Sequence, residues 1–189
     1  ILKELTLSGG VTILVASGDN GAAGTEEACL PADDPLVGNQ YTTWPVISPW
    51  VTAVGGTQFL DGPDEAVSSS STGADGCTSG GGFAGPSYPA ELYSTPAWQK
   101  KAVRRYLAEN NATTFAAFPT AATPGWNPAG RAYPDISMYG AGIGLLNVED
   151  PDDMKYSSGT SFSTPFLAAF FSLANEALLR DGYEVIGYA

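Results

Sequence analysis

The chain has 189 residues and 43% hydrophobic content, enough to bury one sizeable core and short for two domains. Its formal net charge is −12, from 8 Lys and Arg against 20 Asp and Glu with no His, which argues against nucleic acid or an anionic membrane as a partner, since both need a basic surface. The same balance suits work in acid, where many carboxylates are protonated and self-repulsion falls, although an acidic pI is also common among soluble proteins.

Leu2, Leu5 and Leu7, with Lys3 and Glu4, read as the last turns of a helix that stops at Gly9-Gly10. The β-branched run from Val11 to Ala16 then reads as a strand buried on both faces, as in a parallel sheet. It ends at Ser17-Gly18-Asp19-Asn20-Gly21. Ligands gather at the carboxyl ends of parallel strands, so Asp19 is a candidate site residue, with a turn-forming Asp as the plainer alternative.

Residues 22–49 form a long loop rich in turn formers, which predicts a functional loop or an insertion. A second strand is expected over Trp50 to Val54, and Gly55-Gly56 should turn the chain into a third short one ending at Phe59. The Ser/Gly-rich stretch 68–82 reads as a surface excursion. Thr95 and Pro96 open a helix running to about Leu107, its apolar side carrying Ala97, Trp98, Ala102, Tyr106 and Leu107. Lys100, Lys101, Arg104 and Arg105 make a basic face, read as solvated, with an acidic partner as the alternative. Two further strands are expected, from Tyr133 to Met138 and from Gly142 to Asn147. The alternation is that of an α/β protein, in one domain or part of one.

Ser158-Gly159-Thr160-Ser161-Phe162-Ser163-Thr164-Pro165 precedes the apolar run Phe166 to Leu179 and reads as a helix start. Small residues before Ser161 let a substrate approach, and a helix behind it would aim unpaired N–H groups and the positive end of its dipole at the hydroxyl. Pro165 fits an early helical position. A nucleophilic serine and a plain capped helix start both fit this local pattern. The run Phe166 to Leu179, interrupted by Ser172, Asn175 and Glu176, is too short to span a bilayer, so no membrane segment is expected. No signal peptide is visible before Ile1, so the chain reads as processed or as a fragment.

Cys29 and Cys77 are the only cysteines; one disulfide in an oxidising compartment and two buried free thiols both fit. Asn111-Ala112-Thr113 is an N-glycosylation sequon in a polar stretch. Without histidine no imidazole from these residues can activate Ser161, whereas a carboxylate base of ordinary pKa near about 4 would serve best in acid. Asp19 would stabilise an oxyanion only when protonated, which low pH or an apolar pocket favours.

Five stretches resemble, in order, the successive motifs of the sedolisin family, the serine-carboxyl peptidases: Ser17 to Gly21, Ser48-Pro49-Trp50-Val51-Thr52-Ala53-Val54-Gly55-Gly56-Thr57, Gly80-Gly81-Gly82-Phe83, Gly130-Arg131-Ala132-Tyr133-Pro134-Asp135-Ile136-Ser137, and Ser158 to Pro165. The resemblance runs from Gly9 to about Leu179. It implies a subtilisin-like three-layer α/β fold with a central, mainly parallel sheet flanked by helices. It also implies secreted, lysosomal or vacuolar delivery as a zymogen with its own propeptide, and hydrolysis of peptide or protein substrates in acid by an endopeptidase or tripeptidyl-peptidase.

By the same resemblance Ser161 matches the nucleophile and Asp19 the oxyanion-stabilising aspartate. The general-base Glu and its orienting Asp are expected upstream of Ile1 and the calcium site downstream of Ala189, so the chain reads as part of a catalytic domain, inactive by itself. Ordinary subtilases typically place His after the motif's Pro and Asn at the position of Asp19; Phe166 and Asp19 depart from both. A non-catalytic sedolisin-like binding or structural module is the alternative. A disulfide between Cys29 and Cys77 would tie the loop after Asp19 to the Ser/Gly-rich excursion.

Overall fold

The structure is a computed structural model that describes residues 1–23, 42–60, 65–68, 77–111, 120, 122–123, 125–146, 150 and 154–187. Helix α1 (Leu2–Gly9) ends as expected, on Gly10 at φ 60°, a left-handed conformation that costs glycine little and closes the last turn through its N–H to Leu5 O. Strand β1 is Leu14–Ala16, shorter than the apolar run that announces it. It pairs in parallel with β2 (Thr52–Phe59), placing Leu14 beside Thr52 and Ala16 beside Val54.

β2 corrects the expectation of two strands separated by Gly55-Gly56, because it runs unbroken through both glycines. They serve packing instead of turning. A Cβ on Gly55 would sit 2.6 Å from Ser137 Oγ and 2.8 Å from Pro134 Cγ, and one on Gly56 would meet Ser68 Oγ at 3.3 Å and Ser163 Oγ at 3.5 Å. Neighbouring chain therefore comes closer to β2 than any side chain there would allow.

β3 (Glu65–Val67) is antiparallel to the far end of β2. β4 (Gly82–Phe83) pairs with β5 (Ala132–Tyr133), and β6 (Ile136–Tyr139) lies parallel to β2 with Val54 beside Ile136. The expected strand Tyr133 to Met138 is thus two strands in different sheets. β7 (Ile143–Leu145) and β8 (Lys155–Ser157) form a hairpin, and α4 (Thr160–Arg180) follows. The sheet of β1, β2 and β6 is parallel, with β3 the antiparallel exception. This is an α/β fold with a mainly parallel sheet.

The main core gathers Val46, Ile47, Ala53, Ala84 and Tyr133 under that sheet. Each fully buried Val or Ile contributes about 1.5–3 kcal/mol, so this small set anchors the end of the sheet nearest β4 and β5. Helix α2 is the single turn Ala90–Tyr93. The basic helix is α3 (Lys100–Glu109), starting later than expected; Val103 is its buried residue, whereas Trp98 and Tyr106 are exposed. Gly130 to Ser137 serves the fold: Arg131 is wholly buried and paired with Asp135.

α4 packs on β1, β2 and β6. At 21 residues it runs longer than the expected apolar stretch, and by length and composition alone it suffices to cross a membrane. Leu167 is buried against the sheet while Phe166, Phe170, Leu173 and Leu179 are exposed. Pro165 is the sixth helical residue and not a first-turn one. With no N–H, it leaves the carbonyl of Ser161 without its usual helical donor.

Candidate active site

The site is built where the loop after β1 meets the N-terminus of α4. After Ala16 the chain turns through Gly18 at φ 99°, a backbone conformation that favours glycine, and presents Asp19 to Thr160. The Thr160 N–H donates to Asp19 Oδ1 at 2.7 Å, and the Thr160 hydroxyl donates to the same oxygen at 2.9 Å. Thr160 Oγ1 in turn accepts the Gly18 N–H at 3.1 Å. Its proton and a lone pair are both in use, which fixes the hydroxyl rotor.

The sequence motif contains three serines, and the fold distinguishes them. Ser158 Oγ accepts the Gly142 N–H at 2.8 Å. Ser163 is wholly buried, its hydroxyl packed against Gly56 and Gly140 without a hydrogen-bond partner among the described residues. Ser161 is exposed on the second residue of α4, and among the described residues neither its hydroxyl nor its N–H has a partner. It is therefore the serine of the three whose hydroxyl a substrate can reach. Its N–H follows directly on the Thr160 N–H that Asp19 Oδ1 accepts, so the Asp19 carboxyl and Ser161 both lie at the first turn of α4.

The segment 77–81 closes the other side of Asp19. The Thr78 N–H donates to Asp19 O at 2.7 Å, the Gly80 N–H to Gly18 O at 2.7 Å, and the Gly21 N–H to Thr78 O at 2.8 Å. The approach needs glycine, since a Cβ on Gly80 would lie 2.1 Å from Ser17 O. Cys77 is buried, is joined to no other cysteine among the described residues, and its Sγ lies 3.6 Å from Asp19 Oδ1. Burial pushes this thiol up from 9.0 to about 12, and the adjacent Asp19 charge acts in the same direction, so Cys77 stays protonated. Cys29, the partner expected for it, lies outside the described residues.

Asn111 stands apart from the site, past the end of α3, with its Nδ2 donating to Ala108 O at 3.3 Å; the rest of its sequon lies outside the described residues. Among the described residues no three His, Cys, Asp or Glu side chains gather as metal ligands, so none of them is assigned to calcium. Sequence reasoning reached Ser161 and Asp19 but missed Thr160 and Cys77 as the groups that hold Asp19. Thr160 was legible as the neighbour of Ser161; for Cys77 the signal was its position three residues before Gly80.

No family model matches the chain. Tripeptidyl-peptidase 1 of Bos taurus is 32% identical over 183 residues, which is 95% of this chain and 27% of that protein. The Homo sapiens protein of the same name is 31% identical over 183 residues, with the same two coverages. The probable tripeptidyl-peptidase SED3 of Arthroderma benhamiae is 31% identical over 179 residues, 95% of this chain and 25% of that protein. Among solved structures, a Pseudomonas sedolisin, a serine-carboxyl proteinase complexed with two molecules of pseudo-iodotyrostatin, superposes with a TM-score of 0.57 at 28% identity, covering 93% of this chain and 42% of that one. The chain thus spans about a quarter of the length of the curated relatives it matches.

Proposed function

Since the chain belongs to the sedolisin family of serine-carboxyl peptidases, we propose that the protein carrying it hydrolyses peptide bonds in acid through an acyl-enzyme on Ser161. The observation that carries this reading is the hydrogen-bonded contact of Asp19 with Thr160, the residue immediately before an exposed and unpartnered Ser161.

In this reading the Ser161 hydroxyl attacks the scissile carbonyl and gives its proton to a carboxylate base supplied from outside the described residues. The carbonyl oxygen becomes an oxyanion that accepts hydrogen bonds from the Ser161 N–H and from protonated Asp19. As the intermediate collapses the protonated base returns its proton to the nitrogen, the C–N bond breaks, the amine leaves and an acyl ester remains on Ser161. Water then attacks the ester, regenerating the hydroxyl and releasing the acid. A donor carboxyl at Asp19 and a carboxylate base both fit acid conditions better than neutral ones. The 31–32% identity to tripeptidyl-peptidases favours release of tripeptides over internal cleavage as the first activity to assay. Secreted, lysosomal or vacuolar delivery as a zymogen belongs to the same reading.

The test uses the full-length protein, activated in acid and incubated with peptide substrates and with a fluorophosphonate that labels active serines. Label mapped to Ser161, with hydrolysis lost in Ser161→Ala, is the expected result. Hydrolysis that survives Ser161→Ala overturns the assignment. No hydrolysis and no label at any acid pH would instead point to a binding module on the same fold.

A further inference from the structure

Asp19 is held asymmetrically. Its Oδ1 receives three donors: the Thr160 N–H at 2.7 Å, the Thr160 hydroxyl at 2.9 Å and the Cys77 thiol at 3.6 Å. Its Oδ2 has no hydrogen-bond partner among the described residues and faces Gly159, where an added Cβ would approach it to 3.1 Å. An oxygen already surrounded by protons has no room for one of its own. We propose that Cys77 is a positioning residue of the site: with Thr160 it holds Asp19 by Oδ1, so that Oδ2 is the oxygen that carries a proton toward the substrate's oxyanion. This rests on the reading of Asp19 as the oxyanion donor.

Geometry singles out Cys77 for this role. It is fully buried, it lies on the segment whose backbone bonds to Asp19 and Gly18, and its neighbour Thr78 holds Asp19 O. A thiol that keeps its proton throughout the working range is a permanent donor, and it gives Asp19 a side-chain anchor from a segment distinct from α4. Without it both side-chain anchors come from Thr160 alone, and the carboxyl is freer to rotate and exchange its oxygens. A disulfide from Cys77 to Cys29 would consume the S–H and remove the anchor.

The test measures kcat and KM of the full-length enzyme on one peptide substrate for Cys77→Ala, Cys77→Val and Cys77→Ser, alone and combined with Asp19→Ala. Loss of one weak donor predicts a fall in kcat of about three- to tenfold in Cys77→Ala and Cys77→Val with KM unchanged. Cys77→Ser, which restores a donor, should return kcat to within about twofold of the parent. On the Asp19→Ala background the same substitutions should have no further effect, since their target is gone. Should Cys77→Ala fail to fold, Cys77→Val keeps more of the volume and decides the matter. Unchanged kcat in the Val variant, or a Ser variant as impaired as Val, overturns the positioning role. Near-parental activity of Asp19→Ala overturns the reading beneath it. Absence of free thiols in the unfolded, unreduced protein overturns the proposal separately, by showing Cys77 bridged.

Discussion

Arg131 is wholly buried and bonded through Nη2 to the carboxylate of Asp135, four residues along the chain. The same nitrogen donates to Val51 O at 3.1 Å, while Asp135 Oδ2 accepts the Ala53 N–H at 2.8 Å. Gln99 clamps the other side, donating through Nε2 to Ala132 O at 2.6 Å and accepting the Ala132 N–H at 2.9 Å. One ion pair thus joins the start of β2, the start of β6 and the approach to α3. Asp135→Ala would leave a guanidinium buried without its counter-charge, which predicts a loss of about 3–5 kcal/mol of stability. Asp135→Asn, which keeps an acceptor for Ala53, should lose less. Urea unfolding compares the two, and equal midpoints would show that the charge is irrelevant.

Ser161→Ala should reduce peptide hydrolysis by the full-length enzyme to background. Asp19→Ala leaves the proposed nucleophile in place and removes one proposed oxyanion donor, so it should lower kcat by about 10²- to 10³-fold. Steady-state assays in acid measure both, and a loss below tenfold for Asp19→Ala would count against its role.

Thr160→Val keeps the shape of the side chain and removes a hydroxyl that serves both Asp19 and Gly18. The Gly18 N–H is then left without that acceptor, for an expected cost of about 1–3 kcal/mol by thermal unfolding. Activity should fall as well, because Asp19 loses its side-chain anchor on α4. Thr160→Ser should preserve both properties.

Gly140→Ala would place a methyl 2.2 Å from Ser163 Oγ and 2.8 Å from Gly159 O, at the turn that leads into α4. Something must move, and overpacking of this kind costs about 1–3 kcal/mol. Because the obstruction bears on the start of the serine helix, kcat should fall more than KM rises. The paired variant Gly140→Ala with Ser163→Ala removes the nearer clash and should recover part of the stability.

Two buried groups hold their protons more tightly in the fold than in the open chain. Burial raises Cys77 from 9.0 to about 12 and Tyr133 from 10.0 to about 12. With folded values above unfolded ones, the stability they contribute is whole below about pH 9 and is lost as pH rises toward about 12. Alkaline unfolding followed by circular dichroism should show that loss, reduced in Tyr133→Phe. Ionisation of Tyr133 together with exposed tyrosines, read from ultraviolet absorbance, would contradict its burial.

Much of the site was legible because its parts are local. Glycine at the end of α1, small residues before Ser161 and Asp19 at the end of a β-branched run are each written in a few consecutive residues. The α/β alternation was legible for the same reason. Gly55-Gly56 was misread as a turn because glycine's local freedom is visible in a sequence, whereas the crowding of Pro134, Ser137 and Ser163 against it is not.

By itself the sequence determined which residues are candidates for the chemistry and which stretches alternate between strand and helix, since both follow from side-chain type and short-range periodicity. Tertiary structure alone decided that Asp19 meets Thr160 across 141 positions, that Ser161 is exposed while Ser163 is buried, and that Cys77 faces the Asp19 carboxylate. Those facts depend on the parallel pairing of β1, β2 and β6 and on α4 packing over them. Contacts between segments so distant in the chain leave no period or spacing for a sequence to display.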